Sequence, residues 1–546
     1  MQFLMNLFKN VTGFRLFYFL FFSFAHTACH NEKIAHKPVE IPKKPNIIVI
    51  LTDQERYPIH WPEGFTEKNL SSSMRLKKHG LTFHRAYTSA CECSPSRAVI
   101  ESGEHYPTNK VYRTPPPQAG LPSEKELVDI GSLLKEKAGY DVVWKGKWHL
   151  SWAVDKGYNW SEKDIAHMQK QYALNGWNPP DAGNAIMAEE PTAQGTMFQG
   201  LTSLGGGYAN NDGRYVQGVT KDDSKQTPGF GESILDYLAK LGAVAPAERK
   251  PFCLFISLVN PHDVWVYPNS WKEAGYQQEE FAHLGIDLPA NYADDLTTKP
   301  SIQLKAREAY NKQATLKDKN AEREYVNFYA YLHKRVDVHL NTILDALETS
   351  GLLDSTIVIR TADHGELGLS HGMREKAYTA YEEMIHVPLI ISNPKMYPLP
   401  KTTESFYCHI DLMPTLAELA GIPNASSYGK GVSIVPILKD TSVSVQNSIL
   451  FTYDDVFFLP TTTPGSHIRA VREGDWTYAV YYSEMGGDFE YELYNLKNDP
   501  GQLVNLLHGA VTQENAQEAK RLHVLLKAKI DKANALPKGV LWPEIL

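Results

Sequence analysis

Basic charge is in deficit in this chain. Its 55 Lys and Arg face 63 Asp and Glu, a formal net charge of -8, and a nucleic-acid binder would normally carry the opposite balance. That deficit leaves room for an anionic small substrate, because a local cationic pocket can sit in an acidic protein. Cysteine is scarce too. Cys29, Cys91, Cys93, Cys253 and Cys408 are five in 546 residues, an odd and sparse set that offers no disulfide framework. The apolar run from Leu16 to Phe24 is too short to span a bilayer and has the length of a signal-peptide core. No internal repeat stands out.

Lys9 and Arg15 flank that run on its N-terminal side, as in an export signal. Cleavage after Ser23-Phe24-Ala25 would release the chain. Thr27-Ala28-Cys29 resembles instead the end of a bacterial lipobox, with His26 where Leu is usual, and would leave a lipid on Cys29. Residues 1–28 are therefore expected to be a signal peptide and 29–44, rich in Lys and Pro, a tether. The product is expected in the periplasm or anchored to a bacterial membrane.

With 42% hydrophobic and 22% charged residues the remainder is ordinary for a globular enzyme, and its length suits one large domain plus a smaller one. Pro45 to Leu51 is a nearly continuous, β-branched apolar run of the kind buried on both faces of a parallel sheet. Tyr140 to Trp144, Pro251 to Val259, Thr356 to Arg360 and Val387 to Ser392 read as further strands, with helical patterns at Leu127 to Lys137 and Ala321 to Ser350. Strands alternating with helices predict an α/β fold with a doubly wound, mostly parallel central sheet over residues 45–440. Tyr158 to Asp223 and Asn269 to Lys319 read as irregular polar insertions. Past about 440, four short strands (Ser448 to Tyr453, His467 to Val471, Trp476 to Tyr482, Tyr491 to Asn495) and a helix from Gln513 to Ala533 predict a smaller antiparallel α+β subdomain at 441–546.

Chemistry concentrates at strand ends, where ligands gather in open α/β sheets. Asp53 follows the first strand and Asp363 the fourth, and two acids delivered there repel unless a cation lies between them. Either Asp alone reads better as an N-cap or turn residue, and it is the two together that point to a metal. Their neighbours Gln54 and His364 bring an amide oxygen and an imidazole. Oxygen-rich ligation favours Ca2+, and one imidazole leaves room for manganese or magnesium. Lys145-Gly146-Lys147-Trp148-His149 follows the second strand, Asn260-Pro261-His262-Asp263 the third, and Arg374-Glu375-Lys376 precedes Tyr381-Glu382-Glu383. The stretch Cys93-Ser94-Pro95-Ser96-Arg97, running on to Gly103, sets a Cys, a Pro and an Arg at fixed spacing.

That stretch resembles the signature of the type I sulfatases, in the alkaline phosphatase superfamily. In that family the cysteine is converted after synthesis to formylglycine, here at Cys93. Gly146-Lys147-Trp148-His149 resembles the family's second signature. Ala362-Asp363-His364-Gly365 looks like its second metal motif, and Pro261-His262 and Lys376 match further positions. The resemblance implies a divalent metal held by Asp53, Gln54, Cys93, Asp363 and His364, with Arg97, Lys147, His149, His262 and Lys376 acting on the sulfate ester. It also implies a formylglycine-generating or sulfatase-maturating enzyme as partner. Asp53-Gln54 departs from the family's usual pair of acids and resembles choline-sulfatase-like and phosphonate-hydrolase-like relatives. His386 stands where Arg is usual.

The function expected is hydrolysis of sulfate monoesters by an exported sulfatase. The alternatives are a phosphonate or phosphodiester hydrolase and a non-catalytic lipoprotein that binds sulfated glycans. Trp152, Trp160, Trp177, Tyr208 and Trp265 offer rings on which a sugar could stack, so a sulfated carbohydrate is the expected substrate. His371 and Arg374 are further candidates for the substrate pocket.

Overall fold

A computed structural model of the chain describes residues 38–544 except 115–119, 124–125, 152–160, 178–180, 182–210, 218–231, 273, 456–458, 461, 485 and 488. The expected signal peptide, Cys29, most of the expected tether, Trp152, Trp160 and Tyr208 therefore lie outside the described residues. No helix among those described is long and apolar enough to cross a membrane.

The strands run in chain order as β1 (Asn46–Asp53), β2 (Gly80–Tyr87), β3 (Ala90–Cys91), β4 (Asp141–Gly146), β5 (Phe252–Pro261), β6 (Thr356–Ala362), β7 (Leu389–Ser392), β8 (Lys401–Cys408), β9 (Ser448–Tyr453), β10 (His467–Glu473), β11 (Trp476–Tyr482) and β12 (Glu490–Asn495). The central sheet has seven strands in the order β4-β5-β1-β6-β7-β2-β8. All neighbours pair in parallel except β7, which is antiparallel to both β6 and β2. β1 lies between β5 and β6, and the pleat sends its side chains alternately to two apolar layers. Ile47, Val49 and Leu51 pack on one face, and Ile48 and Ile50 on the other. A strand so placed needs apolar residues at every position, which is why the run is continuous.

The long helix Lys319–Thr349 covers one face, capped by Asp318, whose carboxylate accepts from the amides of Asn320 and Ala321. On the same side of the chain order, the polar stretch Asn269 to Lys319 holds a helix, Ser301–Gln313. Pro300 leads into it, and Ile302, Ala306 and Tyr310 bury one face at four-residue spacing. In the other polar insertion, Ser161 and Asp164 form a capping box that starts the helix Glu162–Gln171. Helical spacing was thus present inside both stretches, diluted by the polar residues of the exposed faces.

The second sheet has the order β12-β11-β10-β9-β3, antiparallel among β9 to β12 and covered by the helix Gln513–Ala533. Its edge strand β3 pairs in parallel with β9. That pairing ties the smaller sheet to the residues immediately before Cys93.

Candidate active site

The carboxyl ends of β1, β4, β5 and β6 converge with the start of the helix Cys93–Ser102. Asp53 closes β1. Asp363 follows β6, its amide donating to Thr52 O (3.1 Å), while its Oδ1 accepts from the amides of Gln54 (3.0 Å) and His364 (2.9 Å). β4 ends in Gly146 at φ 98°, where a Cβ would lie 2.0 Å from Ser257 O. Only glycine admits that approach, and it lets the Lys147 amide donate to the same carbonyl (2.9 Å).

Asp53, Cys93, Asp363 and His364 each present a ligand atom, all within 4.8 Å of one another, and all four residues are buried. The Cys93 Sγ is 3.7 Å from Asp53 Oδ1 and 3.1 Å from His364 Nε2. His364 Nδ1 lies 2.9 Å from Gly365 O. A carbonyl only accepts, so Nδ1 carries the proton and Nε2 turns a lone pair towards Cys93. Two carboxylates, a sulfur and an unprotonated imidazole nitrogen at these separations fit a divalent cation.

Gln54 stands next to Asp53 in the chain. At φ 64° the chain turns there, and the side-chain amide is held between Lys376 and two buried acids. Its Nε2 donates to Glu366 Oε2 (2.5 Å) and Glu375 Oε2 (3.0 Å), while Oε1 accepts from Lys376 Nζ. Burial and the adjacent Glu375 push Glu366 up to about 7.

Arg97 ties the acids together from behind. Its Nε donates to Asp363 Oδ2 (3.0 Å) and Nη2 to Asp53 Oδ2 (2.9 Å), while Nη1 donates to Lys147 O and Ser257 Oγ. Lys147 Nζ sits 2.7 Å from the same Asp53 oxygen. Burial alone would raise the Asp53 carboxyl, yet the charges of Lys147 and Arg97 hold it well below the usual range. The Cys93 thiol is pushed up to about 12 by burial and by Asp53. A free thiolate is therefore a poor choice of nucleophile here.

His149 and His262 stand on the loops after β4 and β5. Both imidazoles are held well below their ordinary range, first by burial and then by Lys147, so both are neutral near pH 7. Lys376 is shifted the other way: burial pulls the ammonium down, but Cys93, Glu375 and Glu92 more than compensate. Three buried cations, Arg97, Lys147 and Lys376, thus surround Cys93 at the positively polarised start of a helix.

One residue of the site has no motif to announce it. Asp181 accepts hydrogen bonds from the amides of Trp148 and His149, each at 2.8 Å. It thereby holds His149 at φ 55°, a conformation few non-glycine residues adopt. The other candidates lie elsewhere. His371 is buried against Asp294 (2.7 Å) and Asn291, and Arg374 donates to Ala314 O (2.5 Å). His386 stacks on Tyr57 and pairs with Glu382. Trp177 is not a sugar platform: it is fully buried and donates to Gly146 O (3.0 Å). Trp265 is 8% exposed, with its ring edge to His262 at 5.9 Å.

Comparison with known proteins gives a consistent picture. The family model described as Sulfatase matches residues 45–422. A second model, N-sulphoglucosamine sulphohydrolase, C-terminal, matches residues 369–532. A choline-sulfatase of Rhizobium meliloti is 25% identical over 85% of this chain and 82% of its own length. A Delta 4,5-hexuronate-2-O-sulfatase of Bacteroides thetaiotaomicron is 25% identical over 85% of both. Among solved structures, a 2-O GAG sulfatase superposes with a TM-score of 0.63 at 21% identity, covering 90% of this chain and 93% of the other. A phosphonate monoester hydrolase of Agrobacterium radiobacter reaches 0.61 at 18% identity, covering 90% and 96%.

Proposed function

The chain belongs to the sulfatase family of the alkaline phosphatase superfamily and is a sulfuric ester hydrolase, and from that premise we propose that it removes sulfate from a sulfated carbohydrate, using a formylglycine made from Cys93 and a divalent cation. Asp53, Cys93, Asp363 and His364 would hold the cation, and two carboxylates joined by an oxygen in place of the Cys93 sulfur make the oxygen-rich set that suits Ca2+. When bound, the cation supplies Lewis-acid stabilisation of negative charge and acidifies an oxygen attached to it. The formylglycine supplies an oxygen nucleophile and a route for releasing sulfate that a plain Ser or Cys ester lacks.

The chain's own residues account for the remaining work. Arg97 and Lys147 keep Asp53 ionised and fix it against the helix that carries Cys93. Lys147 and Lys376 neutralise the non-bridging oxygens of the ester, in a buried setting where such contacts count for most. His149, neutral and held by Asp181, accepts a proton from residue 93. His262 would take up a proton once the bound ester's negative charge offsets the burial and the lysines that hold it neutral, and would pass that proton to the departing oxygen.

The observation that carries this reading is Cys93 on a helix start, between two carboxylates and an imidazole and ringed by three cations. The sugar rests on the hexuronate-acting relative and on Trp265 beside His262. Export, free in the periplasm or anchored through Cys29, and a maturating enzyme as partner belong to the same proposal. They are supported by the Leu16 to Phe24 run and by the Cys93 motif.

The test is the mass of the peptide containing residue 93, which is lighter than the unmodified peptide when sulfur has been exchanged for oxygen. Desulfation of defined sulfated oligosaccharides is measured on the same preparation. Unmodified Cys93 in active enzyme refutes the mechanism. Asp53-Gln54, with the phosphonate monoester hydrolase among the neighbours, favours a second reading, and faster turnover of a phosphonate ester than of any sulfate ester would establish it.

A further inference from the structure

Strand β5 slips against β1 just where it reaches the site. Leu258 pairs with Thr52 and Pro261 with Asp53, so Val259 and Asn260 have no opposite number on β1. On the other side β4 gives out at Gly146, opposite Ser257. A bulge of this kind re-aims the residues that follow it, and here it sets His262 one residue beyond the partner of Asp53. It also takes two buried amides out of the ladder, and each needs an acceptor.

Asp212 supplies both. Its Oδ1 accepts from the amide of Val259 (2.7 Å), and its Oδ2 accepts from the amide and the side-chain Nδ2 of Asn260, each at 3.1 Å. Asp212 is 1% exposed and is the second residue of the short helix Asn211–Gln217. The clamp continues past His262. Tyr276 OH donates to Asp263 Oδ2 (2.5 Å) and lies 3.5 Å from Asn260 Nδ2.

The imidazole of His262 has no hydrogen bond of its own among the described residues, and its Nδ1 is enclosed without a partner. Its direction therefore follows from the backbone on either side, which these bonds fix. The arrangement repeats the one at His149, where Asp181 takes the amides of Trp148 and His149. Both carboxylates come from the polar stretch Tyr158 to Asp223, and each closes on two successive amides at the end of one of the neighbouring strands β4 and β5.

We propose, resting on the role given to His262 above, that Asp212 is a positioning residue for protonation of the leaving group: by taking up the two amides freed at the β5 bulge it fixes Asn260-Pro261 and so aims His262 at the departing oxygen. The step it serves moves one proton from His262 to the ester oxygen as the S–O bond breaks and leaves its electron pair on that oxygen.

Wild type, Asp212→Ala, Asp212→Asn and His262→Ala are assayed on phenyl sulfate and 4-nitrophenyl sulfate, which differ little in shape but strongly in the basicity of the leaving oxygen. Nitrophenolate leaves without a proton, so a misplaced acid is felt on phenyl sulfate. Asp212→Ala is expected to lower kcat by about 100-fold on phenyl sulfate and by no more than about threefold on 4-nitrophenyl sulfate. Asp212→Asn keeps one acceptor oxygen and should fall between; it carries the comparison if the alanine variant does not fold. His262→Ala should show the same selectivity as Asp212→Ala. If His262→Ala is selective while the Asp212 variants lose both esters equally, or lose nothing on phenyl sulfate, the proposal is overturned: the clamp would serve the fold and not the proton. If His262→Ala itself loses both esters equally, the acid role of His262 is wrong and the assignment of Asp212 goes with it.

Discussion

Replacing Asp181 by Ala tests whether the geometry around His149 is imposed or incidental. The carboxylate is the acceptor for two buried amides, Trp148 N and His149 N, both at 2.8 Å. Leaving each without a partner costs ~1–3 kcal/mol, or ~2–6 kcal/mol together. His149 at φ 55° stores a further ~1–3 kcal/mol, tolerated because these bonds over-determine it. Without them the loop relaxes and the imidazole moves, and a displacement near 1 Å is enough to cost ~10²-fold in rate. The expected outcome is a fall in kcat of about that size on a sulfate ester, with KM changed by no more than a few-fold because Lys147 and Lys376 still bind the anion. Unfolding entropy of ~2 cal/mol/K per residue makes each kcal/mol worth only ~1 °C on a chain this long, so the melting temperature should drop by a few degrees. Asp181→Asn keeps one acceptor oxygen and should fall between the two. If Asp181→Ala retains full kcat while the melting temperature drops, the role given to Asp181 is wrong: the bonds would be structural and His149 indifferent to them.

Three further outcomes are expected. Chelation should abolish sulfate-ester turnover, and added Ca2+ should restore it, whereas Asp363→Asn should need ~10–100-fold more cation for half-maximal activity; activity that survives chelation of both proteins rules out the ion. Gly146→Ala drives a Cβ to 2.0 Å from Ser257 O at a φ of 98°, so it should destabilise the chain by well over ~3 kcal/mol and leave little soluble protein, and a wild-type melting temperature would refute this. His105 is brought down to about 3 by burial and by Arg469. Its folded value is below its unfolded one, so the unfolded chain takes up the proton first, and stability present above pH 6.5 is lost as the pH falls. By pH 4.5 this amounts to ~3 kcal/mol, and His105→Gln should be spared it; urea unfolding of both proteins at pH 7 and 4.5 checks this, and a constant difference between them refutes it.

The central strands were legible because burial on both faces demands an unbroken apolar run. β1, β4, β5 and β6 answer to that rule, and their residues alternate between two cores. β2 and β8 escaped notice because each is only partly buried: His84 and Arg85 interrupt one, and Lys401, Thr402 and Glu404 the other. The antiparallel direction of β7 was equally hidden, because strand direction depends on where the chain returns and leaves no trace in four residues.

The site divides along the same line. Asp53, Asp363 and His364 were grouped through their places at strand ends, and Cys93 joined them through the resemblance of its motif to the sulfatase signature; the topology brings all four to one edge. Gln54 was grouped with them through its place in the chain, and its amide donates to the Asp363 carboxylate while its side chain is held by Glu366, Glu375 and Lys376. Asp181 left no such trace: it lies far along the chain from His149, and its partners are backbone amides, which are identical at every residue. A side chain that recognises amides alone imposes no pattern on the residues it serves. Such a residue is found only once the fold has brought it home, and its worth can be measured only by removing it.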